Sequence, residues 1–432
     1  MEIYVVQPGD TIEYIAEKYN VSTARLIQDN GLDNPTSLVP GQTIVIFFPT
    51  KTYTVQEGDS LYSIATEFNI TIMQLIRNNP DLYNRDYIYP GEVLIISYDI
   101  EYDITTNGFA YYFINRDTLK KTLPYLTFLS IFNYRATNDG RINSYGDDSD
   151  IINLAKLYKT IPLLMISTLS ILGEANTELV YEILLNDDIG NNLIKNTLQT
   201  VQSKGFKGVN VLISSINSTN QGYYVKFLSR LSDALKKENY ILVVTINPNI
   251  TQVGDSVFFE RLDYNSIGRI VYQLVFTQYV WGQNKQPPGP VSSTFLLRSF
   301  LEYIQATVTS NNISLGTPLI GYDWTLPYVP GKSVANAMTV NSTITLANDT
   351  ESSIQFDDAS QTPYFTYYSS YNVLPEEHIV WFIDARSIRS LYDLIIEFNF
   401  VGSGIWNINH YDQQLWSMIN AKFVIIKIMS DH

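Results

Sequence analysis

The chain has 432 residues, 45% of them apolar, and a formal charge of −15 from 28 Lys+Arg against 43 Asp+Glu. That length carries two or three domains, the apolar share excludes a disordered chain, and the acidic balance argues against nucleic acid, whose phosphates need basic surface. Cysteine is absent and histidine occurs only at His378, His410 and His432, so disulfides and thiolate chemistry are excluded, and no metal centre or other cofactor is expected.

The N-terminal hundred residues contain a repeat. Tyr4-Val5-Val6-Gln7-Pro8-Gly9-Asp10-Thr11 recurs as Tyr53-Thr54-Val55-Gln56-Glu57-Gly58-Asp59-Ser60, and Asn30 and Pro40-Gly41 recur as Asn79 and Pro90-Gly91. In each copy a short strand leads to Gly-Asp-Thr/Ser, where the Asp or the hydroxyl residue can cap a helix. Apolar residues then follow at helical spacing, at Ile12, Ile15, Ala16 and Tyr19 and at Leu61, Ile64, Ala65 and Phe68. A second short helix, a Pro-Gly turn and a closing strand complete a βααβ unit, placing one module at 1–49 and another at 51–98. Met1 to Asp10 has neither a basic nor an apolar leader region, so no signal peptide is expected. No apolar run in the chain reaches the roughly 18–20 residues of a membrane helix, so no membrane span is expected.

From about residue 103 strands alternate with helices. Strands are expected at Gly108–Ile114, Tyr125–Phe132, Thr160–Ser167, Gly208–Ile213, Ile241–Ile246, Arg269–Phe276, Pro318–Asp323 and Gly402–Trp406. Segments such as Tyr223–Asn239, with Phe227, Leu228, Leu231 and Leu235, carry helical periodicity between them. Eight strands in strand–helix alternation predict an α/β fold, a (β/α)₈ TIM barrel over 103–432. Residues 332–386 are too long for one loop and read as a small α+β insertion after strand 7, with strands at Ser353–Phe356 and Ile379–Phe382.

The N-terminal repeats resemble LysM modules, which bind N-acetylglucosamine-containing glycans. That resemblance implies a groove at Gly9, Asp10, Thr11, Gln28, Asp29 and Asn30, and another at Gly58, Asp59, Ser60, Arg77, Asn78 and Asn79. The larger part resembles glycoside hydrolase family 18, in the branch with tandem LysM modules found among spore cortex-lytic enzymes and coat proteins. The resemblance rests on Phe132-Asn133-Tyr134-Arg135, Pro287-Pro288-Gly289-Pro290-Val291, Gly321-Tyr322-Asp323-Trp324-Thr325-Leu326-Pro327-Tyr328 and Val380-Trp381-Phe382-Ile383-Asp384-Ala385-Arg386-Ser387.

Such enzymes carry Asp-x-x-Asp/Asn-x-Asp-x-Glu on the fourth strand. The Glu protonates the leaving oxygen, and the Asp before it orients the substrate's N-acetyl group. Here Gly205-Phe206-Lys207-Gly208-Val209-Asn210-Val211-Leu212-Ile213-Ser214 puts Lys207, Asn210, Leu212 and Ser214 at those positions, and Val280 at a further acidic position after Tyr279. A hydroxyl is too weak an acid to protonate a leaving group at neutral pH. The resemblance leaves Tyr279, Tyr322, Asp323, Trp381 and Trp406 as a barrel cleft. Asp323 and Asp384 are rival acids, but both match residues beside the catalytic Glu of active relatives, which implies structural hydrogen-bonding groups.

These readings predict a non-catalytic glycan-binding protein of the bacterial spore envelope. It would be made in the mother-cell cytoplasm, deposited in the coat or cortex, and bound to peptidoglycan or another N-acetylglucosamine glycan. Two alternatives stay open: an active N-acetylglucosaminidase of the cortex-lytic type, and a scaffold that binds spore coat proteins or self-assembles.

Overall fold

The computed structural model describes residues 1–85, 87–171, 173, 175–253, 256–277, 283–309, 311–369 and 375–428. Eight parallel strands close into a barrel: Tyr102–Tyr111, Phe128–Ala136, Ile161–Ser167, Gly208–Leu212, Ile241–Ile246, Gln273–Phe276, Ile313–Pro318 and Gly402–Trp406. Each pairs with the next, and the eighth closes on the first with Gly402 opposite Thr105 and Trp406 opposite Phe109. Every crossover runs through helix on the outside, the arrangement a parallel strand pair requires.

Alternation within a strand sorts residues between the two cores. On the fourth strand Val209 and Val211 face the surrounding helices, while Leu212 joins Phe109, Phe132, Met165, Val275 and Trp406 inside the barrel. Below Leu212 the interior is polar. Asn210 Nδ2 donates to Ser130 Oγ at 2.8 Å, Ser130 to Asn107 Oδ1 at 2.9 Å, and Thr245 Oγ1 to Asn210 Oδ1 at 2.9 Å. Within it the Asn210 amide and the Ser130 and Thr245 hydroxyls are partnered, as buried polar groups require, while Asn107 Nδ2 is buried without a partner among the described residues.

Four expected strands are displaced. The second runs Phe128–Ala136, because Leu123–Tyr125 is a helical turn. The sixth starts only at Gln273, because Arg269 and Ile270 end the helix Tyr264–Ile270. The first begins at Tyr102, because Tyr102–Ile104 pairs beneath the barrel with the late strand Phe423–Ile425. The seventh ends at Pro318; Tyr322 and Asp323 lie instead on Gly321–Thr325, a strand of the insertion. The insertion therefore starts well before residue 332. It is a five-stranded antiparallel sheet in the order Asn336–Met338, Gly321–Thr325, Glu376–Trp381, Thr362–Ser369, Gln355–Asp357, backed by the helix Val340–Asp349.

Both N-terminal modules fold as βααβ units. Their helices are Ile12–Tyr19 and Thr23–Asn30, then Leu61–Glu67 and Ile72–Asn78. The hydroxyls Thr11 and Ser60 cap the first helix of each. Asp10 and Asp59 do other work. Each accepts from a tyrosine hydroxyl, Tyr4 at 2.7 Å and Tyr53 at 2.8 Å, and from a backbone N–H of its own loop.

The modules are docked on the barrel rather than hung from it. Arg25 of the first reaches the Asn78 carbonyl of the second at 2.9 Å. The last barrel helix, Gln413–Lys422, receives both: Gln414 donates to Asn30 Oδ1 and the Thr43 carbonyl, and Asn420 donates to Asn78 Oδ1. Val39 packs into the insertion's core with Ile354, Phe365 and Val380. At Gly41, with φ +88°, an added Cβ would stand 1.9 Å from the Ile354 carbonyl oxygen. Only glycine allows that approach.

Candidate active site and glycan-binding surfaces

The barrel mouth, at the C-terminal ends of the strands, is floored by aromatics. Trp406 is 8% exposed and meets Phe109 at a ring separation of 5.2 Å and Tyr111 at 6.2 Å. Tyr111 stacks on Phe113 at 5.2 Å, and Phe113 is exposed. An apolar ring beside a wet rim suits the face of a sugar. Tyr322 joins this group. Its phenol is pushed up to about 12, by burial first and by the neighbouring Tyr111 second.

The other cleft candidates divide. Trp381 pairs with Tyr322 across the insertion sheet and stacks on Tyr364 at 4.5 Å. Asp323 is one residue on from Tyr322, so it points to the opposite face. There its carboxylate bonds Tyr367 Oη at 2.9 Å and His378 Nδ1 at 2.9 Å, on the side that packs against the helix Val340–Asp349. Asp384 is no freer: it caps the helix Ala385–Glu397 and holds Arg386 at 2.6 Å. Neither rival acid opens on the mouth. Tyr279 and Val280 lie outside the described residues.

The four fourth-strand positions are spread along the barrel axis. Lys207 is exposed at the N-terminal end, away from the mouth. Asn210 serves the interior network. Leu212 is 2% exposed and fills the space under Trp406 and Phe132. Ser214 Oγ is buried without a hydrogen-bond partner among the described residues. No carboxylate stands at any of the four.

In the modules, the first loop of each expected groove is open. Gly9 and Gly58 turn with φ +89°, and Thr11 and Ser60 are exposed beside them. The second half is not a loop. Gln28, Asp29 and Asn30 end one helix, and Arg77 and Asn78 end the other, with Asn79 as its cap. Asn30 Nδ2 donates to the Leu26 and Val45 carbonyls, and Asn79 repeats this with Leu75 and Ile95. Asp29 pairs with Arg25 at 2.8 Å. Burial raises the Asp29 carboxyl. Arg77, 7% exposed, donates to Asn420 Oδ1 and the Pro124 carbonyl. Burial lowers it to about 10. These residues lock helix to strand and module to barrel, so the glycan-facing assignment does not fit them.

Sequence reasoning missed two better candidates on the loop that follows the second helix of the second module. Tyr87 and Tyr89 are 55% and 59% exposed and meet edge-on at 5.4 Å, with the Arg85 guanidinium over Tyr87. Two exposed tyrosines one residue apart in a module loop were the available signal.

The architecture is that of a (β/α)₈ barrel with an aromatic mouth and two small modules fixed to its side. The chain belongs to the glycosyl hydrolases family 18, whose family model matches residues 95–412, and it carries LysM domains at residues 4–47 and 53–97. It is 32% identical to the cortical fragment-lytic enzyme of Bacillus subtilis (strain 168), over 99% of each chain. The crystal structure of the Bacillus cereus spore cortex-lytic enzyme SleL is similar with a TM-score of 0.79 and 29% identity, covering 99% of both chains. That of Bacillus megaterium QM B1551 SleL gives 0.80 and 28%, again over 99% of both.

These relatives correct the expectation of a non-catalytic protein. Chains matching it from end to end, modules included, are named for lytic activity. Leucine and serine on one strand are a local change within that frame, and do not by themselves establish inactivity. Among the described residues no helix is long and apolar enough to cross a membrane, and no group of three or more His, Cys, Asp or Glu is placed to hold a metal ion.

Proposed function

We propose that the chain is a spore-cortex glycoside hydrolase that acts on N-acetylglucosamine-containing peptidoglycan at the barrel mouth, while the LysM loops hold the same polymer. The observation that carries this is the end-to-end match, modules and barrel together, to relatives named cortical fragment-lytic enzymes. The aromatic floor of Trp406, Tyr111 and Phe113 supports it as a sugar platform, and the exposed Tyr87 and Tyr89 support a second contact on the module side. Holding both modules rigidly raises the effective concentration of glycan at the mouth without a flexible linker.

Hydrolysis by substrate assistance still needs a proton donor at the leaving oxygen. Leu212 and Ser214 do not supply one, so in this reading the donor comes from outside the fourth strand. Glu178 and Glu182, on the helix Thr177–Leu185 that follows the third barrel strand, line a cavity with Arg135 at the end of the second, and are the first carboxylates to neutralise. The test is incubation of the full chain with purified spore-cortex fragments and chromatographic measurement of new reducing ends. Turnover lost on Glu178→Gln or Glu182→Gln supports the reading and assigns the donor. Absence of any product, under conditions where an active cortical fragment-lytic relative digests the same fragments, overturns it.

A further inference from the structure

One cavity lies neither at the barrel mouth nor on a module's open loop, but where the first module, the insertion and the last barrel helix meet. It holds about 860 Å³ and takes Asp33 and Asn34 from the module, Asn341 and Thr345 from the insertion helix, and Asp412 and Gln413 from the start of the barrel helix. A second cavity of about 540 Å³ shares Asn341 and Asp412 with it and runs toward Asn409 and His410 in the loop that follows Trp406. The two adjoin at these residues and make a trench of mixed polar and apolar lining between the module and the loop after Trp406. Its walls are fixed from both sides: Ser37 Oγ donates to Asn348 Oδ1 at 2.5 Å, and the Ile354 N–H to the Pro40 carbonyl at 2.8 Å.

The charge in the larger cavity is one-sided. Asp33, Asp349, Asp384 and Asp412 line it, and among its described lining residues none is Lys, Arg or His. Asp384 is already matched by Arg386 from outside the cavity. Asp412 is not matched. It is 8% exposed, accepts the Leu415 N–H at 2.7 Å as helix cap, and forms no ion pair among the described residues. The remaining walls mix amide and hydroxyl groups with the apolar Leu32, Val340 and Ile344. A buried carboxylate without a counter-ion, facing a cavity, favours a ligand that brings a cation with it.

We propose that this trench binds a short peptide with a free side-chain ammonium group, the ammonium seated beside Asp412. Resting on the reading that the substrate is peptidoglycan, the peptide is the stem attached to the glycan at the mouth, so the trench would select strands by their peptides. The physical claim is separable from that reading, because it concerns binding and needs no turnover.

The test is titration calorimetry of the full chain with the tetrapeptide Ala-γ-D-Glu-Lys-D-Ala and with its Nε-acetyl form. The free-amine peptide is expected to bind at least about tenfold more tightly, one ion-pair-sized increment. Asp412→Asn keeps the helix cap and should erase that preference. Asn341→Trp fills the exposed rim of the cavity and should abolish binding of both peptides, with binding of chitotetraose retained as a check on folding. Equal affinity for the two peptides, or binding that survives Asn341→Trp, overturns the proposal, as does no peptide binding by the unmodified chain. Peptide selectivity without hydrolysis of cortex fragments would sink the proposed activity and leave this site standing.

Discussion

Asp412 makes the site's electrostatics measurable as stability. Burial pushes its carboxyl up from 3.8 to about 6, against the opposing pull of the Leu415 N–H. A carboxyl raised in the folded state is unstrained while protonated, so this residue's contribution is intact below about pH 3.8. It is lost as the pH rises through about 6 and is constant above that. A shift of roughly two units corresponds to about 3 kcal/mol at neutral pH. The charged groups that face it are Asp33 from the module, Asp349 from the insertion helix, Asp384 held by Arg386, and His410 from its own loop, whose pKa desolvation lowers. None supplies a free positive charge at neutral pH. Asp412→Asn removes the titration while an amide still caps the helix. Urea unfolding followed by tryptophan fluorescence should therefore show the variant matching the unmodified chain near about pH 4 and gaining up to about 3 kcal/mol near about pH 7.5. Other titrating groups cancel in the difference between the two proteins. A gain of the same size at both pH values would refute the reasoning, since it would come from packing and not from a buried charge. A loss at neutral pH would mean that the carboxylate has a counter-ion in solution.

Gly41→Ala places a methyl against the Ile354 carbonyl at a positive φ, so it should cost more than about 2 kcal/mol and release the first module. The matched Gly91→Ala, at φ +92° with nothing within 4 Å, should cost only about 1 kcal/mol, and hydrogen exchange at the Ile354 amide separates the two. Trp406→Phe keeps the ring packing on Phe109 and Tyr111 and should weaken chitotetraose binding at the mouth by roughly 1–2 kcal/mol; unchanged affinity in calorimetry would remove the aromatic floor from the site. Tyr87→Ala with Tyr89→Ala should lower retention on insoluble peptidoglycan while changing stability by under about 0.5 kcal/mol for each exposed ring. Full retention would move the LysM contact elsewhere.

Much of the fold is visible in the chain because its signals are local. The repeated Gly-Asp-Thr/Ser and Pro-Gly steps are turn chemistry, and β-branched runs between helical stretches mark the barrel. The misplacements of the first and seventh strands occur where a long-range partner decides the outcome. Tyr102–Ile104 is polar and mixed, and becomes strand only because Phe423–Ile425 pairs beneath it. Gly321–Thr325 is as good a strand as Ile313–Pro318, and only the partner Glu376–Trp381 draws it out of the barrel into the insertion.

The site was less legible for the same reason. A sequence motif gives the identity of Asn30, Asn78 and Arg77 but not what covers them. The last barrel helix, more than three hundred residues on, turns these positions into packing. Asp323 shows the same limit at the scale of one residue. Its neighbours Tyr322 and Trp324 share the opposite sheet face, so a cleft residue and a buried hydrogen-bonding carboxylate stand side by side in sequence and are separated by the pleat. The trench around Asp412 carried no motif at all. It exists because three segments that are individually ordinary — a module loop, an insertion helix and a helix cap — are locked together by contacts such as Gly41 on Ile354. Releasing that lock should therefore abolish peptide binding in the trench while sparing sugar binding at the mouth, which ties the stability of the docked module to the selectivity of the site.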